Sequence, residues 1–377
     1  MDIQPSPPSR AGLREFQFSL GRLLAAVTLC AILFASFPPG FEFARVAPLL
    51  LAAILIVLFV LFSDWSFWHV GNGTVALEYG NFERAISEFT KGIAARSNDP
   101  ERHCARAVAH HRKGDLPAAI ADYSAAIGIS ARCSSAWFGR ALARQANGEH
   151  QHAIDDATIG LCIEPENVRG LMIRGYSYCF VGDAVAGNSD LNEAVRLAPE
   201  QGAIYLTRGL AYLCIGEWAT ALPDFQHTPP DLRGGTWLLG RTMAIFQLGR
   251  YEQAICEAKD FLAADNEDVH ASAALAWFLA TCPVASLRDG EQSVRLAQKA
   301  KNGESLDWWM IHACLAVARA ETGSFKDAIR HGHVALQTAP AGWRGKCEAA
   351  LACFTTDRPY RDESINPTSA GEGVQSH

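Results

Sequence analysis

Twelve histidines, eleven cysteines and several neighbouring carboxylates are the residues of this 377-residue chain that could do chemistry, and their spacing limits what that could be. His103 and His110 share a helical face seven residues apart, roughly 10.5 Å along the axis. That is too far for one zinc ion, whose ligands stand about 2 Å away. His331 and His333 point to different sides of a helix, and His150 and His152 lie at a helix start. The pairs Asp155/Asp156 and Glu164/Glu166 fall at positions expected to be solvated. "GNGTVA" (71–76) has the spacing of a dinucleotide-binding turn, but that turn needs a preceding strand, and here an apolar segment precedes it. There is no Walker loop, no HExxH and no GxSxG. The chain therefore reads as no enzyme, with no catalytic residue, cofactor or metal.

The cysteine count is odd, the residues are scattered, and no CxxC occurs, so reduced thiols are expected rather than a disulfide framework. A net charge of −7 without a basic, aromatic-interleaved stripe excludes nucleic acid as a partner.

The elements that would position any site begin with two uncharged apolar runs, 23–37 and 46–62. The second spans roughly 25 Å as a helix, close to the hydrocarbon thickness of about 30 Å. Phe41 and Phe43 before it, and Trp65, Phe67 and Trp68 after it, suit the interface. The short "PPGFEFAR" between the runs makes a hairpin, so residues 16–68 are expected to be a two-helix transmembrane anchor that meets the bilayer through residues 20–68. Arg10, Arg14 and Arg22 before the first run put both ends on the cytoplasmic side, although Arg45 opposes this. The protein is thus expected to be a multi-pass integral membrane protein with its main domain in the cytoplasm. Residues 1–15 and 362–377 read as disordered tails.

Beyond the anchor the chain repeats. Gly80, Gly114, Gly148, Gly182 and Gly216 stand 34 residues apart, with Gly249 following after 33. Counting each unit so that this glycine is position 15, small residues recur at positions 8, 20 and 27, as in Ala141/Ala153/Gly160 and Gly175/Gly187/Ala194. Large apolar residues recur at position 17 (Phe82, Leu116, Trp218, Tyr251, Phe325) and position 24 (Phe89, Tyr123, Leu191, Phe225). Paired antiparallel helices, A and B, need small residues where they approach, and a glycine that enters the left-handed region to end helix A. Unit five carries Pro223 inside helix B, so that helix should be short.

These residues, over about 66–340, resemble the tetratricopeptide-repeat (TPR) family, whose repeat is 34 residues long. The strings "LATCP" and "LRDG" within 279–290, with Ser293 where an alanine is expected, resemble a bacterial TPR subgroup. The resemblance implies an all-α TPR superhelix of about eight helix-turn-helix units (69–340), and residues 341–361 are expected to form a capping helix. It also implies that positions 2, 5, 9 and 12 of each helix A face a concave groove. The carboxylate clamp of some TPR proteins is absent, because Ala105, Ser135 and Gly139 stand where its charged residues would be. Instead Phe138, Leu142, Met172, Tyr176, Phe180, Leu206, Leu210, Leu213, Leu239, Met243 and Phe246 form an apolar stripe. This stripe either packs against neighbouring helices or takes an apolar or helical protein segment.

The expected function is a membrane-anchored scaffold for protein–protein interaction. Two alternatives stand beside it: an extracytoplasmic TPR factor in envelope assembly or secretion, and a non-catalytic subunit of a membrane enzyme or transporter. Self-association through Ala31 and Ala35 is a further expectation.

Overall fold

The structure, a computed structural model, describes residues 65–301 and 308–362. Both apolar runs, the disordered-tail expectation for 1–15 and nearly all of that for 362–377 lie outside the described residues. No helix among the described residues is long and apolar enough to cross a membrane. Those residues form seventeen α-helices and two short 3₁₀ turns, with no strand among them.

The helices come as pairs of near-equal length: α1 (Trp65–Glu78) and α2 (Phe82–Ala95), α3 (Pro100–Lys113) and α4 (Leu116–Ile129), α5 (Ser134–Ala146) and α6 (His150–Ile163), α7 (Val168–Val181) and α8 (Ala184–Leu197). They continue with α9 (Gly202–Cys214) and α10 (Trp218–His227), α11 (Gly235–Gln247) and α12 (Tyr251–Ala264), α13 (Val269–Thr281) and α14 (Gly290–Lys301), α15 (Trp308–Glu321) and α16 (Phe325–Thr338). An unpaired α17 (Ala341–Phe354) ends the series. The chain divides into two compact units at Ala109/His110, within α3. In the first, the Phe89 ring fills the space beside Gly73, and Arg102 donates to the Gly92 carbonyl at 2.8 Å.

Seven of the eight pairs close their first helix as the spacing predicts, on a glycine of positive φ, from 72° at Gly80 to 103° at Gly182, which a Cβ would penalise; α13 ends instead at Cys282. Side-chain oxygens of Asp115 and Asp183 then cap the second helix by accepting from the N–H three residues on. Inside the α7–α8 pair, a Cβ on Gly187 would meet Cys179 Sγ at 2.4 Å, so only glycine allows this approach. Pro223 cannot donate the helical bond its position calls for, and α10, at ten residues, is the shortest α-helix among the described residues.

One repeated device was not among the sequence expectations. Arg140, Arg174 and Arg208 each reach from the first helix of a pair to an aspartate of the second, sixteen residues on (Asp156, Asp190, Asp224), with paired bonds of 2.7–2.8 Å. The same guanidinium also donates to Ser124, Thr158 or Asn192 of the preceding pair. Each arginine therefore pins two pairs in register through a planar fork. Arg241 and Glu257 repeat the bond more openly, at 3.0 and 3.2 Å.

The LATCP and LRDG strings flank the link between α13 and α14. Arg288 donates to the carbonyls of Cys282 and Pro283, the Asp289 amide bonds the Leu279 carbonyl, and the Asp289 side chain caps α14 at Gln292. Buried Ser293 keeps its hydroxyl satisfied by donating to the Ala276 carbonyl at 2.6 Å.

Candidate functional site

The eleven stripe residues separate into two groups. The Phe138 ring fills the space beside both Gly160 and Gly170, where an added Cβ would stand 2.5 and 2.3 Å from it. Met172 shares its cluster, and Leu142 packs against that cluster. Phe246 is fully buried and stacks on Phe278 with ring centroids 4.5 Å apart. Leu206 is buried in the same large cluster as Phe246. These residues cement neighbouring pairs.

Tyr176, Phe180, Leu210, Leu213, Leu239 and Met243 instead converge on one cavity of about 220 Å³, open to solvent on one side. They reach it from α7, α9 and α11, the first helices of three successive pairs, which pack side by side. The opposite wall comes from residues the sequence reading did not select: His270 on α13, Trp309 and Met310 on α15, and Pro340 and Trp343 at the start of α17. The lining is mostly apolar, with polar atoms on Tyr176, Thr236, His270 and Trp309; the Thr236 hydroxyl lies 3.2 Å from His270 Nε2.

The α17 helix packs back against α7, α9, α15 and α16. Trp343 lies among Trp218, Trp277 and Trp309, with ring centroids 5.4–5.7 Å away. Gly342 meets the backbone at the end of α9 so closely that a Cβ would stand 2.6 Å from the Cys214 carbonyl oxygen. Asp362, placed by the sequence reading at the start of a disordered tail, is 1% exposed. Its carboxylate accepts from Gln247 Nε2 at 2.6 Å, from Trp277 Nε1 at 3.0 Å and from Lys346, while its amide donates to the Thr281 carbonyl. The Tyr360 hydroxyl also donates to it at 3.4 Å, and a buried carboxylate with four donors is compensated for its lost hydration, which holds this polar stretch in place. Arg361 is tied as well, to Glu321 at 2.7 Å and to the Ala280 carbonyl.

Burial favours the neutral form of several histidines and thiols. His150 stacks on Phe180 at 3.6 Å between centroids, and burial pushes it down to about 4. His111 is lowered by burial first and by the Arg169 guanidinium second. His331 meets His312 Nδ1 to Nδ1 at 2.9 Å across α15 and α16. Burial, then its partner, pushes His331 down to about 4. The thiols of Cys179 and Cys314 are raised to about 12, both chiefly by burial, which leaves them unreactive. Among the described residues no group of three or more His, Cys, Asp or Glu side chains is placed to hold a metal.

No protein-family model matches the sequence, and no curated protein matches it. Among solved structures, a tetratricopeptide repeat protein from Parabacteroides merdae superposes with a TM-score of 0.54 at 14% identity, over 67% of this chain and 98% of that one. That likeness, with the 34-residue pairs, defines the fold as an all-α, TPR-like helical-repeat solenoid. PilF of Pseudomonas aeruginosa (TM-score 0.45, 14% identity, 55% of this chain and 94% of that one) is also similar. So is a thermophilic TPR protein from Thermus thermophilus (TM-score 0.42, 18% identity, 48% and 98%). Both align over too little of this chain to add to the argument.

Proposed function

We propose that this chain is a non-catalytic, membrane-tethered scaffold of the TPR family that holds a protein segment on the cytoplasmic side. The observation that carries the reading is the half-open apolar cavity built by the first helices of successive pairs. Large apolar and Met side chains converge there without a catalytic constellation, as suits a surface that accommodates another chain's side chains. The tether is the pair of uncharged runs at 23–37 and 46–62, and the cytoplasmic side follows from the arginines that precede them.

The test is capture from membranes with the tagged full chain, beside a variant carrying Tyr176→Asp and Leu210→Asp. Both side chains are only partly buried, so the charges reach the cavity without unpairing the core. The variant's helicity and melting temperature are matched to wild type first. A stoichiometric protein retained by wild type and lost by the variant is the expected result; equal retention rejects the cavity as the docking place. Sidedness is read at Cys162 and Cys256, the exposed thiols. A membrane-impermeant maleimide should leave them unlabelled in intact cells and label them after permeabilisation. Labelling in intact cells would place the repeats outside.

A further inference from the structure

The groove side of units three to six carries one charged residue. Positions 2, 5, 9 and 12 of their first helices hold apolar or neutral polar residues, except for Arg169 at position 2 of unit four. The same register places Thr236, Leu239 and Met243, at positions 2, 5 and 9 of unit six, in the cavity wall. Arg169 therefore stands on the cavity side of α7, two turns before Tyr176 and about 10.5 Å from it along the axis. Its charge is uncompensated. Arg169 forms no hydrogen bond or ion pair with the described residues, whereas Arg174, five residues on, is forked onto Asp190. Although Arg169 is exposed to solvent, desolvation by the protein around it pulls its guanidinium below the usual arginine value, with Tyr123 opposing. His111, at position 12 of unit two, is lowered by burial and then by the Arg169 charge, so the two groups are neighbours. Neither shift has a carboxylate among its causes. Water can accept from a guanidinium, but it cannot cancel a positive charge held in a recess.

We propose that the partner segment is a helix that sets one acidic side chain on Arg169 and, two turns away on the same face, one large apolar side chain in the cavity. That the natural partner is a protein segment rests on the scaffold reading; the two-point site does not. A carboxylate supplies the missing charge and fits the planar guanidinium with paired bonds. An apolar void of about 150 Å³ holds a benzene ring, so the cavity of about 220 Å³ admits a Leu, Met or Phe side chain. The spacing selects a helix. Seven helical residues bridge about 10.5 Å and return both side chains to one face. An extended chain covers the same distance in about three residues, which leaves the two side chains on opposite faces.

The test uses the full chain in nonionic detergent micelles and blocked, fluorescently labelled alanine–glutamine helical peptides. Each peptide carries a Phe and, seven residues from it, Glu, Gln or Lys, and each is made with the Phe towards either end. Titrations are followed by anisotropy. In one chain direction the Glu peptide should bind wild type about tenfold tighter than its Gln counterpart, the gain of one charge-assisted hydrogen bond, with Lys weakest. Arg169→Glu should reverse the order and make the Lys peptide the tightest, which a merely structural role for Arg169 would not do. Arg169→Gln should bring the Glu and Gln peptides within about twofold, and it serves where the reversed charge disturbs folding. Glu and Gln peptides that bind wild type within about twofold would overturn the proposal. So would an unchanged preference for Glu in Arg169→Gln, or no saturable binding by any peptide. Failure of the two readings is distinguishable. If a protein is captured through Tyr176 and Leu210 but is indifferent to Arg169→Gln, the scaffold reading stands and the acidic anchor falls. If the peptides discriminate by charge and no protein is captured, the reverse holds.

Discussion

Position 7 of the first helix is arginine in units three to six, at Arg140, Arg174, Arg208 and Arg241, and leucine in units seven and eight, at Leu275 and Leu315. The arginines each bridge to a carboxylate of their own pair, whereas both leucines are almost completely buried. The front of this unit is thus registered by directional forks that fix which residue faces which. The back is held by a large cluster in which Trp277, Trp309 and Trp343 meet and α17 closes in. Buried ion pairs add little net stability but penalise a wrong register, while apolar mass stabilises without directing. The cavity lies where the two regimes join. The stripe side chains of α7, α9 and α11 approach it from the forked pairs, and Trp309 and Trp343 approach it from the aromatic cluster.

Trp343→Ala should remove about 3–5 kcal/mol of stability, as deletion of a fully packed indole does. Chemical denaturation followed by circular dichroism would measure it, and a loss below about 1 kcal/mol would mean that α17 is a dispensable flap. In the front half, Asp190→Ala should cost about 1–3 kcal/mol, because it leaves the part-buried Arg174 guanidinium without its carboxylate. The double variant Arg174→Met, Asp190→Leu should recover most of that loss. If the double is as unstable as the single, the fork supplies net stability and not only register.

A smaller effect is expected from pH. His150 titrates near 4 in the folded chain and near 6.5 when unfolded, so the unfolded state binds the extra proton between those values. Its contribution is complete above pH 6.5 and fades as pH falls towards 4, amounting to about 1–2 kcal/mol lost between pH 7 and 5. His331, pushed down in the same way, acts in the same direction. His150→Phe should flatten part of this slope in melting curves at pH 7, 6 and 5. An unchanged slope would remove His150 from the account.

Much of this architecture was legible because it is local. Gly80 to Gly249 mark the helix ends by a backbone need that operates within one turn, and the small residues at positions 8 and 20 mark where each pair closes. The arginine ladder was also written in the chain at the same period, but a charged residue at a repeated position reads as surface until its partner sixteen residues on is seen buried. The stripe on α5, α7, α9 and α11 was legible as a set, yet its division into cement (Phe138, Met172, Phe246) and cavity wall (Tyr176, Leu210, Met243) was not. Whether a groove position is covered depends on what returns from far along the chain. Asp362 is held by Gln247 and Trp277, 115 and 85 residues away, and no periodicity announces such a pairing.

The most direct test of the scaffold account places a photocrosslinking benzoylphenylalanine at Leu210 or at Val185, in separate full-length chains expressed in cells. Leu210 lines the cavity, whereas Val185 lies on a second helix and is 84% exposed. The account predicts one discrete protein adduct on irradiation of the position 210 chain and none from position 185. An adduct from 185 alone would move recognition to the outer helices and contradict the cavity as the binding place.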